Sequence, residues 1–329
     1  MKKLLTGAVL LAVASAAHAE DDVTLQLKWV TQAQFAGYYV AAAKGYYKDE
    51  GLNVTILPGG PDIAPEQVIA GGGADVIVDW MPAALAARER GLPLVNIAQP
   101  FKSGGLELTC LKESGISSPA DFKGKTLGVW FFGNEYPFYG WMAKLGLTTE
   151  GGPDGVTVLK QAFNVDALLQ KQAACISVMT YNEYGQVIDA GIKPEELVTF
   201  NYHEQGAGIM EDGLYALEDK LKDPAFEDKM VRFVRASMKG WKDAEANPDA
   251  AAQIVIDNDA SGAQTLEHQK YMMGEVAKLT AGSNGALDPA DFKETVATLL
   301  AAVSKENPAI TKEPDAGAYT LAITDKALN

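Results

Sequence analysis

Residues 27–47 read "LKWVTQAQFAGYYVAAAKGYY" and carry the chain from an extended segment into a helix. The strand is "VTLQLKWV" (23–30). In the helix "QAQFAGYYVAAAKGYY" (32–47), Phe35, Tyr39, Ala42 and Ala43 recur at i, i+4, i+7 and i+8, which predicts one apolar face. The junction between the two places an indole and two amides, Trp29, Gln32 and Gln34, beside Phe35. In an open parallel sheet, loops converge beyond the carboxyl ends of the strands and helix N-termini point inward, so side chains at such a junction are where a ligand is met.

The same alternation continues outward. "LNVTILPGG" (52–60) is a strand, "PEQVIAGG" (65–72) a short helix stopped by glycines, and "ADVIVDW" (74–80) a strand. "PAALAARERG" (82–91) is a helix with Pro82 near its first turn, and "LVNIAQP" (94–100) a strand. A second series follows. "KTLGVWFF" (125–132) is a strand, "EYPFYGWMAKLG" (135–146) a helix with Asn134 as its expected cap, then come strand "VTVLKQ", helix "VDALLQKQA" and strand "CISVMTY". From "PAFEDKMVRFVRASMKGWKDAEAN" (224–247) to "PADFKETVATLLAAVSKE" (289–306) the pattern is helical. Such βαβα order predicts an α/β fold of mainly parallel sheets flanked by helices. The length exceeds the usual size of a single core, which predicts two lobes. One lobe interrupted by the other accounts for the order: residues 20–109 with 212–329, and residues 110–211, with hinge crossings near 106–111 and 208–214.

Residues 1–19 have the pattern of an export signal. Lys2 and Lys3 precede the apolar run "LLTGAVLLAVA", and Ala17-His18-Ala19 is a small-x-small cleavage site. The run is shorter than a membrane span of about twenty residues. No cysteine stands at the cut, so the expected product is a soluble periplasmic protein beginning near Glu20. The net charge of −15 argues against nucleic acid or anionic membrane as partner. Export permits a disulfide between Cys110 and Cys175, the only cysteines, but spacing does not establish one. Both lie in apolar strand-like runs, where a buried free thiol is common.

Reading off the strand ends gives Trp29 to Phe35, Asp79-Trp80-Met81, Gln99, Trp130 through Tyr136 (including Asn134 and Glu135), and Tyr181-Asn182-Glu183. Three of the five tryptophans stand at these ends. Any one of them is as readily core as ligand contact; the three together predict a cleft in which a flat aromatic ligand stacks while amides and carboxylates read its polar edge. The acidic residues there, with Glu211 and Asp212, read equally as caps and turn residues. The four arginines (Arg88, Arg90, Arg232 and Arg235) all fall elsewhere, so the bidentate fork that suits sulfonate, phosphate or carboxylate is missing.

Enzyme signatures fail on inspection. "GKT" (124–126) has Pro119 where a phosphate loop needs glycine, and it enters a strand. "GGGAD" (71–75) precedes its strand instead of following one. His203 and His268 belong to no HExxH or paired-cysteine pattern, and no G-x-S-x-G elbow occurs. Neither a catalytic group, a metal site nor a cofactor is expected.

"LQLKWVTQAQFAGYYVAAAKGYYKDEGLNV" (25–54), "GGADVIVDWMPAALAARERGLPLVNIAQ" (72–99) and "DFKGKTLGVW" (121–130) resemble periplasmic substrate-binding proteins related to the thiamine-pyrimidine synthases, within a wider group that binds nitrate, sulfonates and taurine. The likeness covers most of residues 23–220. It implies a two-lobed type II binding protein, a monomer, that delivers a small molecule to the permease and ATPase subunits of an ABC importer. In the pyrimidine-binding branch aromatic residues stack on the ring, and Trp29, Phe35, Tyr38, Trp80, Trp130 and Tyr136 match by position. Asp79, Asn134, Glu135 and Glu183 match as polar candidates; Gln34 and Tyr181 join them as strand-end residues. Riboflavin-binding relatives imply a second flat ligand, and the wider group implies sulfonate, taurine or nitrate as a third. The synthase branch carries a cysteine-rich stretch where this chain reads "QAACISVM", with Cys175 alone, which argues against synthase activity.

Overall fold

The computed structural model describes residues 20–302 and 308–328, so the expected export signal at 1–19 lies outside the described residues. The described residues form ten strands: β1 (Asp21–Gln26), β2 (Leu52–Leu57), β3 (Val76–Asp79), β4 (Leu94–Ala98), β5 (Leu106–Leu111), β6 (Thr126–Val129), β7 (Thr157–Lys160), β8 (Cys175–Met179), β9 (Leu197–Asn201) and β10 (Gly213–Leu217). They form two five-stranded sheets, ordered β2-β1-β3-β10-β4 and β7-β6-β8-β5-β9. Each sheet has three parallel strands, ordered second-first-third, then one strand inserted antiparallel, then a fourth. The inserted strands are the ones the chain makes immediately after leaving the other sheet: β5 pairs antiparallel with β8 and β9, and β10 with β3 and β4. The fold is therefore two mixed sheets of the same topology, the first completed only when the chain returns. The connecting segments are residues 99–105 and 202–212, and the stretch 106–111 is β5 itself.

Local sequence explains the element that orients the first strand end. The predicted helix at 32–47 is three pieces: a 3₁₀ turn Ala33–Phe35, helix Ala36–Ala43, and a short turn Tyr46–Asp49. Gly45, with φ of 78°, breaks the last two apart. Helix Ala36–Ala43 crosses the long helix Pro224–Ala246 at paired glycines; a Cβ on Gly240 would overlap the Gly37 carbonyl oxygen, and one on Gly37 would overlap the Trp241 ring. Trp241 in turn packs edge-on to Tyr38 at 5.5 Å and to Phe101 at 5.7 Å. In the other lobe Trp141 fills the equivalent role, against Phe122, Phe200 and Tyr202. Trp141 and Trp241 are thus almost fully buried away from the strand ends, one in each lobe.

Cys110 and Cys175 face each other across the β5–β8 ladder and are joined in a disulfide. The buried thiols that their apolar surroundings suggest are replaced by a bond, because β5 arrives antiparallel beside β8 in the register that opposes the two residues. The bridge closes a loop of sequence separation 65, for which chain entropy predicts about 4 kcal/mol of stabilisation. Replacing both cysteines by alanine should lower the urea-unfolding free energy by about 2–4 kcal/mol. An unchanged midpoint would mean that the bridge contributes nothing in solution.

Candidate functional site

Both sheets present the carboxyl ends of their parallel strands to a cleft of about 480 Å³. Beyond β1 stand Lys28, Trp29, Gln32 and Gln34; beyond β2 lies the loop 60–67; beyond β3 comes Trp80. The second sheet contributes Trp130, Phe132 and Asn134 beyond β6, Phe163 beyond β7, and Tyr181, Asn182 and Glu183 beyond β8. Six strand ends converge, as the open-sheet rule requires.

Of the residues singled out from sequence, Trp29, Gln34, Trp80, Trp130, Asn134, Tyr181 and Glu183 line this cleft. Phe35 and Tyr38 do not: both are buried in the hydrophobic core, Phe35 in the turn Ala33–Phe35 that packs on helix Leu266–Thr280, and Tyr38 on helix Ala36–Ala43 against Trp241 of helix Pro224–Ala246. Asp79 is fully buried behind the lining, ion-paired to Lys28 at 3.3 Å and accepting the Trp80 amide at 2.8 Å. Glu135 turns back to accept the Gly133 amide at 2.8 Å, and Tyr136 packs against the apolar cluster that contains Met81 and Leu85. Asn134 does not cap the following helix; its side chain donates to the Phe131 carbonyl. Phe163, Lys28 and the loop 60–67 escape the sequence reading. The same strand-end rule, applied to "VTILPGG" and "VTVLKQAF", points to the last and the first of these.

The aromatic lining bridges the lobes. Trp29 meets Phe163 with ring centroids 4.7 Å apart, and Phe163 lies 6.1 Å from Trp130. Trp80 and Trp130 are each 4% exposed, while Phe132 is 71% exposed at the mouth and holds a positive φ of 65°. The Lys28 ammonium sits 5.2 Å over the Trp80 ring. Among the described residues Lys28 is the one cation in the lining, against the carboxyl groups of Asp62, Glu66 and Glu183.

Buried carboxyl groups surround the cleft floor, each held by N–H donors. Glu183 accepts the Met179 amide at 3.0 Å and the Asn182 side-chain amide at 2.8 Å. Asp212 accepts the Trp80 indole N–H and the Gln34 side-chain amide, both at 3.1 Å. Glu211 accepts the Gly105 amide at 2.9 Å and the Leu106 amide at 3.1 Å. Burial is the main cause that pushes Glu183 up to about 7, Glu211 to about 8 and Asp212 to about 6. The Tyr181 hydroxyl is raised well above its ordinary value, first by burial and then by these three carboxylates.

A carboxyl group whose folded pKa lies above its unfolded value binds its proton more tightly when folded. Its contribution to stability is complete below about pH 4 and is lost as pH rises through the folded pKa. The unliganded protein should therefore lose stability between about pH 5 and about pH 8. Urea midpoints across that range test this, and Glu211→Gln should flatten the upper part of the curve. Stability that rises through the same window would mean these carboxylates are not held as described.

The NMT1/THI5 like family model matches residues 32–251, more than half of the chain, and the chain belongs to that family. A formylaminopyrimidine-binding protein of Halalkalibacterium halodurans is 25% identical over 307 residues, covering 91% of each chain. Riboflavin-binding protein RibY of Chloroflexus aurantiacus is 28% identical over 243 residues, 72% of this chain and 66% of that protein. Among solved structures, the periplasmic sulfonate-binding protein SsuA from Methylobacillus flagellatus KT matches with a TM-score of 0.66 at 15% identity, covering 95% of each chain. That likeness establishes the periplasmic binding protein fold.

Proposed function

We propose that this member of the NMT1/THI5-like family is the periplasmic solute-binding component of an ABC importer, and that it holds a small neutral heteroaromatic of the aminopyrimidine type between its lobes. The observation that carries the reading is the lining of the cleft: indoles from three strand ends, with Phe163 and Tyr181, around a floor of buried carboxyl and amide groups. Aromatic faces take a flat ring, and the polar groups suit its amino and ring-nitrogen edge. The roles follow from position. Trp29, Trp80 and Trp130 stack on or edge the ring, and Gln34, Asn134, Tyr181 and Glu183 read its polar rim.

Electrostatics disfavours the anion-binding reading. The cleft has no arginine in its lining, its lysine is already paired with Asp79, and the Asp62 and Glu66 carboxylates face the same space. A sulfonate or nitrate would enter against that field. A flavin is the second reading, supported by the riboflavin-binding relative and by six aromatic side chains in the lining, more ring surface than one pyrimidine covers. The disulfide supports export, since such bonds persist in oxidising compartments. It also engages both cysteines of the chain, which supports binding without chemistry.

Mass spectrometry of small molecules released from protein purified from its own periplasm should find an unmodified heteroaromatic. Calorimetry should give binding of formylaminopyrimidine or riboflavin that taurine does not compete away. Trp29→Ala should weaken that binding by at least about tenfold, the sum of lost stacking and lost burial. Trp29 is only partly buried, so its removal should cost far less than the roughly 3–5 kcal/mol of a core tryptophan. A Trp29→Ala protein that unfolds readily, yet binds normally in its folded fraction, would place Trp29 in the core and defeat the site. Stoichiometric conversion of the ligand would defeat the binding-only reading.

A further inference from the structure

Two adjacent residues on the return crossing hold both the hinge and the cleft. Glu211 and Asp212 immediately precede β10, the strand that completes the first sheet. The Glu211 carboxylate spans to the outward crossing, where it accepts the amides of Gly105 and Leu106; the Gln99 side chain, on that same crossing, donates to the Glu211 carbonyl. Asp212 directs its own carboxylate the other way, to the Trp80 indole N–H and the Gln34 amide, two groups of the cleft lining. All four N–H groups that donate to these two carboxylates belong to segments far away in sequence, so nothing local dictates the arrangement.

Asp212 also has a backbone φ of 42°, in the left-handed region that few non-glycine residues adopt. Strain of that kind is retained where surrounding contacts over-determine it, and it sits here on one of the two segments that any lobe rotation must bend. Gly104 and Gly105, opposite, leave no room for a side chain: a Cβ on Gly104 would come within 2.9 Å of the Glu211 carboxylate, and one on Gly105 within 2.9 Å of the Thr180 hydroxyl. The outward crossing is therefore shaped to accept the Glu211 carboxylate.

We infer that the Glu211–Asp212 pair is a positioning element that couples the orientation of Trp80 and Gln34 in the cleft to the conformation of the hinge. The inference rests on the binding-protein reading for its purpose but not for its test. Asp212 fixes the two cleft groups in the orientation a ligand meets. A ligand that shifts either one changes the hydrogen bonds of Asp212, and the adjoining Glu211 transmits the change to Gly105 and Leu106. Coupling of this kind is reciprocal, so a hinge change must also alter the cleft.

The test uses the full mature protein, first without ligand. Amide hydrogen exchange is followed at Gly105 and Leu106, with the β6 amides as the control for global unfolding. Trp80→Phe removes the indole N–H but keeps an aromatic ring. Coupling predicts exchange at Gly105 and Leu106 faster by about tenfold or more in Trp80→Phe, with β6 unchanged, and a similar effect in Asp212→Asn. The double variant should be no faster than Asp212→Asn alone, since both changes break one pathway. Unchanged exchange in Trp80→Phe, or effects that multiply in the double variant, would overturn the inference. If a substitution lowers overall stability, β6 exchange registers it and the comparison is made relative to β6. A separate calorimetric titration with formylaminopyrimidine should show Asp212→Asn binding about tenfold more weakly than the parent. Failure of the parent to bind any heteroaromatic sinks the proposed function and leaves the exchange result standing on its own.

Discussion

The exchange of one strand between the sheets governs everything else in this molecule. Each sheet of three parallel strands and a fourth admits, between its third and fourth strands, an antiparallel strand whose chain has just come from the other lobe. Because the crossing strand enters each sheet at the cleft side, the parallel strands on both sides end toward the same space. A ligand site at the carboxyl ends of one sheet then faces its counterpart across the cleft, and two half-sites make one. The constraint also explains why the connecting segments and the cleft floor are a single structure. The return crossing must end where β10 begins, beside β3, and β3 ends at Asp79 and Trp80. Asp212 reaches Trp80 because topology leaves it next to that strand end.

How much of this was legible in the sequence depends on the range of the interaction. Strand–helix alternation and the strand ends are local patterns, so the α/β fold and the positions of Trp29, Trp80 and Trp130 at the cleft could be read directly. Phe35 and Tyr38 lie in the core because burial is fixed by partners far along the chain: helix Leu266–Thr280 for the turn Ala33–Phe35, and helix Pro224–Ala246 for Tyr38. The periodicity that put Phe35 on the face shared with Tyr39 already pointed inward. Phe163 was missed because its strand end carries no tryptophan to attract notice. The disulfide was beyond reach for another reason: it depends on the register of β5 against β8, a pairing that becomes known only once the crossing strand is seen to insert there.

The buried charge has a physical logic of its own. Asp79, Glu183, Glu211 and Asp212 are all buried, and among the described residues Lys28 is the only cation in the cleft lining. Burying so many carboxyl groups is costly unless N–H donors satisfy them or a proton neutralises them. Backbone and side-chain amides supply the first: Trp80 for Asp79, Met179 and Asn182 for Glu183, Gly105 and Leu106 for Glu211. Raised proton affinity supplies the second, most for Glu211, whose neighbour Asp212 adds like charge to the effect of burial. Asp79 stays ion-paired to Lys28, while raised proton affinity lessens the charge that Glu183 and Glu211 carry near neutral pH.

That arrangement bears on what the cleft selects. An importer's binding protein must recognise its ligand from dilute solution and then release it, so affinity has to come from shape and stacking that closure completes. Fixed charge would bind an anion in the open state as readily as in the closed one and would offer little difference between them, whereas a ligand can bias a two-state hinge only by its differential contacts with the two states. Ring faces contributed by opposite lobes provide such a difference, because they meet one another only when the lobes are close. The contact between Trp29 and Phe163 is of this type: one ring follows β1, the other follows β7, and they are neighbours solely through the approach of the two sheets. On the proposed reading, a flat ligand bounded by rings from both sides would stabilise the closed arrangement in proportion to the area it shares with each, and the amide and carboxyl groups beneath would set its orientation.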